Sequence, residues 1–183
     1  MRKQVKPTVE AVWKRYDRSV QFNQQIGLYD TVRKNENFFI GRQWEGVEAN
    51  GLPTPVFNFL KRVVLFQVAT ITSDNIAMQA SPLASTSQYD LWDIDQIADV
   101  INKQFQAIFE RNQLVGLLRE YMRNAAVDGD GCLYTYFDPT VENGQAVKGE
   151  IVTEVIENTR VHFGNPNSRA VQSQPYILLS RRM

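Results

Sequence analysis

The stretch "VDGDGCLYTYFDP", residues 127–139, decides how the chain is read. It gathers Asp128, Asp130 and Asp138 around Gly129 and Gly131. A metal loop, a cluster of catalytic acids and a structural corner all compete for it. A calcium loop of the helix–loop–helix kind needs oxygen ligands at positions 1, 3 and 5, glycine at 6 and glutamate at 12. Counted from Asp128, Asp130 fills the second of these places. Cys132, Leu133 and Pro139 then stand where a ligand, the glycine and the glutamate belong. The flanks explain the stretch better. Upstream, "LLREYMRNAAV" repeats apolar residues at helical spacing through Leu117/Leu118, Tyr121/Met122 and Ala125. Downstream, "CLYTYFD" alternates, with Leu133, Thr135 and Phe137 on one side and Tyr134 and Tyr136 on the other, the mark of a strand. "DGDG" therefore reads as the corner where a helix hands over to a strand. Glycines there can take positive φ, and aspartates can bond local N–H groups.

Working outward, the upstream half is helical. Thr8 is a plausible N-cap after Pro7, and Val9, Val12/Trp13, Tyr16 and Val20 follow at helical spacing. The stripe continues through Phe22, Ile26, Tyr29 and Val32, so one long helix is expected to about Phe39. "NGLPTP" (50–55) is a turn, with Pro55 expected at the start of a second helix over 56–71. That helix is apolar nearly all round, which predicts a buried hub with Phe59, Val63 and Phe66 in the core. Residues 79–88 read as a small polar linker. A third helix starts near Asp90–Asp93 and carries Ile94, Ile97, Ile101, Phe105 and Ile108. "ERNQ" (110–113) breaks it before a fourth helix over 114–127.

Beyond the corner the period is two. A strand to about Asp138, an Asn143-Gly144 turn and a return strand in "VKGEIVTEVI" predict a hairpin, followed by short strands in "RVHFG" and "PYILLSRR". The expected fold class is α+β, about four helices over 1–127 and then a small antiparallel sheet over 128–183. The chain stops at Met183 at what reads as a strand end, which suggests a piece of something longer.

Composition excludes several function classes. Of 183 residues, 43% are hydrophobic and 22% charged, as in globular domains, and the formal net charge is zero. No overall field draws the chain to DNA or an anionic membrane. The charge is nevertheless in blocks. Residues 1–42 hold nine Lys/Arg against four Asp/Glu, while 128–158 hold seven acids and Lys148 alone among bases. Such blocks suit contacts between neighbours in an assembly, or simply different solvated faces. The N-terminus has no signal-peptide core, and "VVLFQVATI" is far shorter than the roughly 20 residues that span a bilayer. The chain reads as soluble and not exported.

No catalytic constellation stands out. The sequence holds no phosphate loop and no dinucleotide fingerprint. The one cysteine, Cys132, allows neither a disulfide nor a multi-cysteine metal site. The one histidine, His162, alternates with Val161 and Phe163 along a strand and reads as packed, not as a base; pairing it with Cys132 would need two strands to converge. Asp93/Asp95 read as helix-start chemistry and Glu154/Glu157 as polar strand-end positions. Trp13, Trp44 and Trp92 could stack on bases, but they sit in apolar stripes. No catalytic, cofactor-binding or metal-ligating residue is assigned.

Three stretches together resemble the N-terminal part of tailed-bacteriophage portal proteins, especially the short-tailed-phage type. They are "RKNENFFIGRQWEG" (33–46) with "PVFNFLKRVVLFQVATI" (55–71), then "VINKQFQAIFERNQLVGLLREYMRNAAVDGDGCLYTYFDP" (100–139), then "IVTEVIENTRVHFGNPNSRAVQSQPYILLSRRM" (151–183) with its "N-x-R-V-x-F" turn. The resemblance covers roughly residues 15–183, and no one stretch is diagnostic alone. It implies a non-enzymatic subunit of a ring, usually of twelve copies, at one vertex of the virion. The ring would contact major capsid or scaffolding protein. DNA would pass through it non-specifically during packaging and ejection. The terminase motor and tail adaptor would bind regions beyond Met183, where stem, clip and tunnel loop would lie. Assembly would take place in the host cytoplasm, without a membrane and without a cofactor. The matched part resembles the mixed α/β wing. Two other readings compete. One is a nucleic-acid-binding phage accessory protein using Arg2, Lys3, Lys6, Lys14, Arg15 and Arg18, a patch interrupted by Glu10 and Asp17. The other is a metal-dependent hydrolase on Asp128, Asp130 and Asp138.

Overall fold

Thr8 starts the first helix. Its hydroxyl accepts a hydrogen bond from Ala11 N at 3.3 Å, capping α1 (Val9–Gln25) in the computed structural model of the chain. The structure describes residues 6–73, 77–81, 91–142, 144, 148–168 and 170–181, with only the backbone of 91–93. The expected single long helix is two. Gly27 takes φ +70° and breaks the ladder, so that α2 (Leu28–Ile40) begins after it. Gly41, at φ +88°, closes α2 as its left-handed C-cap.

The second expected helix also starts later than Pro55. Asn58 caps α3 (Phe59–Ile71) by accepting from Lys61 N at 3.0 Å. Its own Nδ2 reaches back to Phe39 O at 2.7 Å and ties the end of α2 to the start of α3. Pro55 lies in the loop instead, where its carbonyl accepts from Trp44 Nε1 at 3.1 Å and Gln43 Nε2 at 3.3 Å. α4 (Leu91–Arg111) and α5 (Leu114–Asp128) are separated at Asn112–Gln113, inside the expected "ERNQ" break. Gln113 is left-handed there, at φ +50°.

The corner follows the sequence reading at Gly129; Gly131 does not take a positive φ. α5 ends at Asp128, Gly129 takes φ +92°, and β1 (Cys132–Asp138) begins three residues on. β1 pairs antiparallel with β2 (Glu150–Ile156). Thr135 and Thr153 join hydroxyls across the pair at 3.1 Å, and the Tyr134 and Tyr136 rings stack 5.1 Å apart, as the alternation requires. The Asn143 half of the expected turn lies outside the described residues, as do 82–88 of the expected linker. β3 (Val161–Phe163) and β4 (Ile177–Leu179) form a second antiparallel pair, with Val161 opposite Leu179 and Phe163 opposite Ile177. The fold is α+β, five helices and then two small two-stranded sheets, one helix and one sheet more than expected.

The chain forms two compact units that interleave along the sequence. The first is Met1–Val64 with Asn124–Cys132 and Ile156–Met183; the second is Leu65–Arg123 with Leu133–Val155. In the first, α1 packs on α2 and on β3, and α2 touches the 3-10 turn Asn158–Arg160. Ile156, Val161 and His162 are buried there, together with Asn23 and Asn124. In the second, Asn112 holds β2 to the α4–α5 turn, accepting from Thr153 N at 2.7 Å and donating to Ile151 O at 2.9 Å. Arg111 adds an ion pair to Glu150 at 3.3 Å. No helix among the described residues is long and apolar enough to cross a membrane.

Candidate functional site

The three aspartates of the opening stretch stand in separate local settings. Asp138 Oδ1 accepts from both the hydroxyl (2.6 Å) and the N–H (2.9 Å) of Thr140, closing an Asx-type turn after β1. Those two bonds, the hydroxyl's first, hold its carboxyl below the usual carboxylate range. Asp128 ends α5, and its carbonyl accepts from Asn158 Nδ2 at 3.2 Å. Asp130 is exposed. Among the described residues no three of His, Cys, Asp or Glu come together in a group able to hold a metal ion.

His162 is the most deeply buried large side chain, at 1% exposure. Its ring meets Tyr16 of α1 edge-on at 4.9 Å, and neither ring nitrogen has a hydrogen-bond partner. Burial lowers its pKa, because the charged form loses its water. Cys132 is half-buried at the start of β1, and burial raises its thiol, away from the thiolate a nucleophile needs. No hydrogen bond joins the two. Of the carboxylate pairs, Glu157 is bound to Arg160 at 3.1 Å, Asp95 is exposed, and the side chain of Asp93 lies outside the described residues.

The basic and aromatic face of α1 is partly spoken for. Lys14 pairs with Glu10 at 2.9 Å, and the Arg15 guanidinium stands 4.6 Å from the Tyr176 ring centre. Trp13 is 60% exposed and meets Tyr16 edge-on, while Trp44 is tied to Pro55. Arg2 and Lys3 lie outside the described residues, as does the side chain of Trp92.

The feature that stands out is α3, and it overturns the expected buried hub. Only Val68 is buried, with Val64 half-buried beside it. At about 100° per residue, Phe59, Val63 and Phe66 fall on the opposite side of the helix. They are 66%, 53% and 72% exposed. Thr70 continues that stripe and turns its hydroxyl inward to Phe66 O at 2.9 Å, which leaves its methyl to the surface. Phe57, stacked on Phe59 at 6.5 Å, extends the ridge into the loop before α3. Apolar patterning alone required that this helix be covered. It could not say that the described elements of this chain cover one side of it.

The second unit, to which Phe66 and Val68 belong, also holds a concave surface. A groove of about 710 Å³ lies along the α4–α5 junction, lined among others by Met78, Phe105, Phe109, Leu114, Val115 and Leu118. Thr72, Gln106, Glu110 and Gln113 supply its polar side chains. Sequence reasoning missed it. The apolar residues were legible, but the groove depends on the break at Asn112–Gln113. No family model, no curated protein and no solved structure matches the chain.

Proposed function

We propose that this chain is the wing-region part of a tailed-phage portal subunit. In that role it is not an enzyme. Such a subunit builds a ring at the capsid vertex through which DNA is packaged and ejected, and the motor and the tail adaptors attach to other regions of the subunit. Its place is the virion, after assembly in the host cytoplasm. The three resembling stretches supply the family. The observation that carries the assembly role is the outward ridge of α3. Three phenyl rings, Phe57, Phe59 and Phe66, are each about two-thirds or more exposed. Together they present about 400 Å² of apolar surface, taking about 200 Å² for a whole ring side chain. A patch of that size is in the range of the largest apolar patch on a typical monomer, which is often a functional surface.

Negative-stain imaging of the purified chain tests the reading. Closed rings with a central opening support it; dispersed single chains or open filaments contradict it. The nucleic-acid-binding alternative makes a different prediction, a DNA affinity that falls steeply with salt. It is weakened by Glu10 and Asp17, which interrupt the basic run of α1.

A further inference from the structure

Resting on the ring reading, the geometry points to the contact that builds it: we propose that the Phe59/Val63/Phe66 ridge of one copy seats in the α4–α5 groove of the next. The occupant is a second copy of this chain for three reasons. Among the described residues the ridge rings are left about two-thirds or more exposed, and a second copy is always present at matching concentration. The two surfaces also complement each other in shape and chemistry. A convex stripe of phenyl and isopropyl groups faces a concave one lined by Phe105, Phe109, Leu114 and Leu118. The ridge rings alone offer about half of the roughly 800 Å² per partner of a standard interface. The aliphatic groups Val56, Leu60 and Val63, each about half exposed, extend it. Finally, the charges at the margins are opposite. Arg62 flanks the ridge one position before Val63, and Glu110 lies on the groove. That pair steers the approach and fixes its direction more than it adds affinity.

Ridge and groove are different patches, so the contact is head-to-tail. Repeated from copy to copy, it closes into a ring when the rotation allows, and it does not stop at a two-fold dimer. The ridge residues protrude from the chain and Val115 on the groove is 49% exposed, so each surface can be spoiled without opening a core.

The test uses the whole chain, native mass spectrometry and two variants, Phe66→Lys and Val115→Lys, with thermal melts to check that both fold. The expected result is a ring for the parent and single chains for each variant alone. An equimolar mixture of the two then gives one-to-one pairs, because a sound groove remains on one variant and a sound ridge on the other. Rings that persist in both variants overturn this contact and leave the ring reading standing. Dimers of the parent that are lost in Phe66→Lys and kept in Val115→Lys overturn both the groove and the ring. A parent that stays a single chain at tens of micromolar overturns both as well.

Discussion

The ring of Tyr16 stands edge-on to the ring of His162, 4.9 Å away at 75°, and fastens α1 to β3. Edge-to-face packing of this kind is favourable between neutral rings, the negative face of one meeting the positive edge of the other. What opposes charging of this imidazole is its burial, which strips the water from the charged form. His162 is the only histidine in the chain, so it is the side chain whose ordinary titration falls between about pH 5 and 8.

The first prediction follows from that burial. The folded state lowers the pKa of His162 from 6.5, so the unfolded state binds the proton more readily. Stability is therefore fully present above about pH 6.5 and is lost as pH falls below it, toward the lowered folded value. Urea midpoints should drop between pH 7.5 and 5.5 in the parent. His162→Leu should flatten that dependence. It should also be near neutral or stabilising at pH 7.5, since an unpartnered buried polar group costs about 1–3 kcal/mol. A pH response that survives in His162→Leu would assign it to another group.

Asn112 gives the second. Three bonds, to Ile108 O (2.8 Å), Ile151 O (2.9 Å) and Thr153 N (2.7 Å), lock the end of α4 to β2. Asn112→Ala should cost about 1–3 kcal/mol by leaving strand groups without partners. Asn112→Asp keeps the acceptor for Thr153 but turns a carboxylate oxygen toward the Ile108 and Ile151 carbonyls, so it should cost at least as much as Asn112→Ala. Denaturant titration of the three proteins checks the order.

The third concerns Gly149, at φ +109°, where an added Cβ would stand 2.9 Å or less from atoms of the Phe137 ring. Gly149→Ala should cost the strain of its positive φ and also displace the Phe137 ring. Gly27→Ala, at φ +70° with nothing near, should cost only the backbone strain of about 1 kcal/mol. Phe137→Ala alone should be mild, the ring being 58% exposed. In the double variant it should recover the clash and not the strain, so the two changes should be less than additive by melting temperature.

The corner supplies the fourth. Asp130→Asn should leave stability and the response to calcium or magnesium unchanged, because the residue is exposed and belongs to no metal-holding group among the described residues. Gly129→Val should cost about 1–3 kcal/mol, because a β-branched residue is forced to a positive φ. Calorimetry that finds calcium uptake lost in Asp130→Asn would restore the metal loop.

Local chemistry made much of the fold legible. Thr8 as a cap, the break near Asn112, and the switch of period across Gly129 each rest on residues within a few positions of one another. The long first helix was misjudged because its apolar stripe runs on through Ile26 and Tyr29. One left-handed glycine, Gly27, outweighs that periodicity. Phe59 and Phe66 were misjudged for another reason. Periodicity shows which side chains want cover and is silent on whether the cover comes from the same chain. The groove at Phe105, Phe109 and Leu118 was hidden likewise, since it arises from the meeting of two helices and leaves no local pattern.

Sedimentation equilibrium of the unmodified chain at moderate salt, from about one to tens of micromolar, tests the central claim most directly. A closed ring built by a repeated contact gives one discrete species, a fixed whole-number multiple of the 21.0 kDa chain that does not grow with concentration. A single 21.0 kDa species at every concentration would contradict the assembly role, and with it the account of why the α3 ridge faces outward.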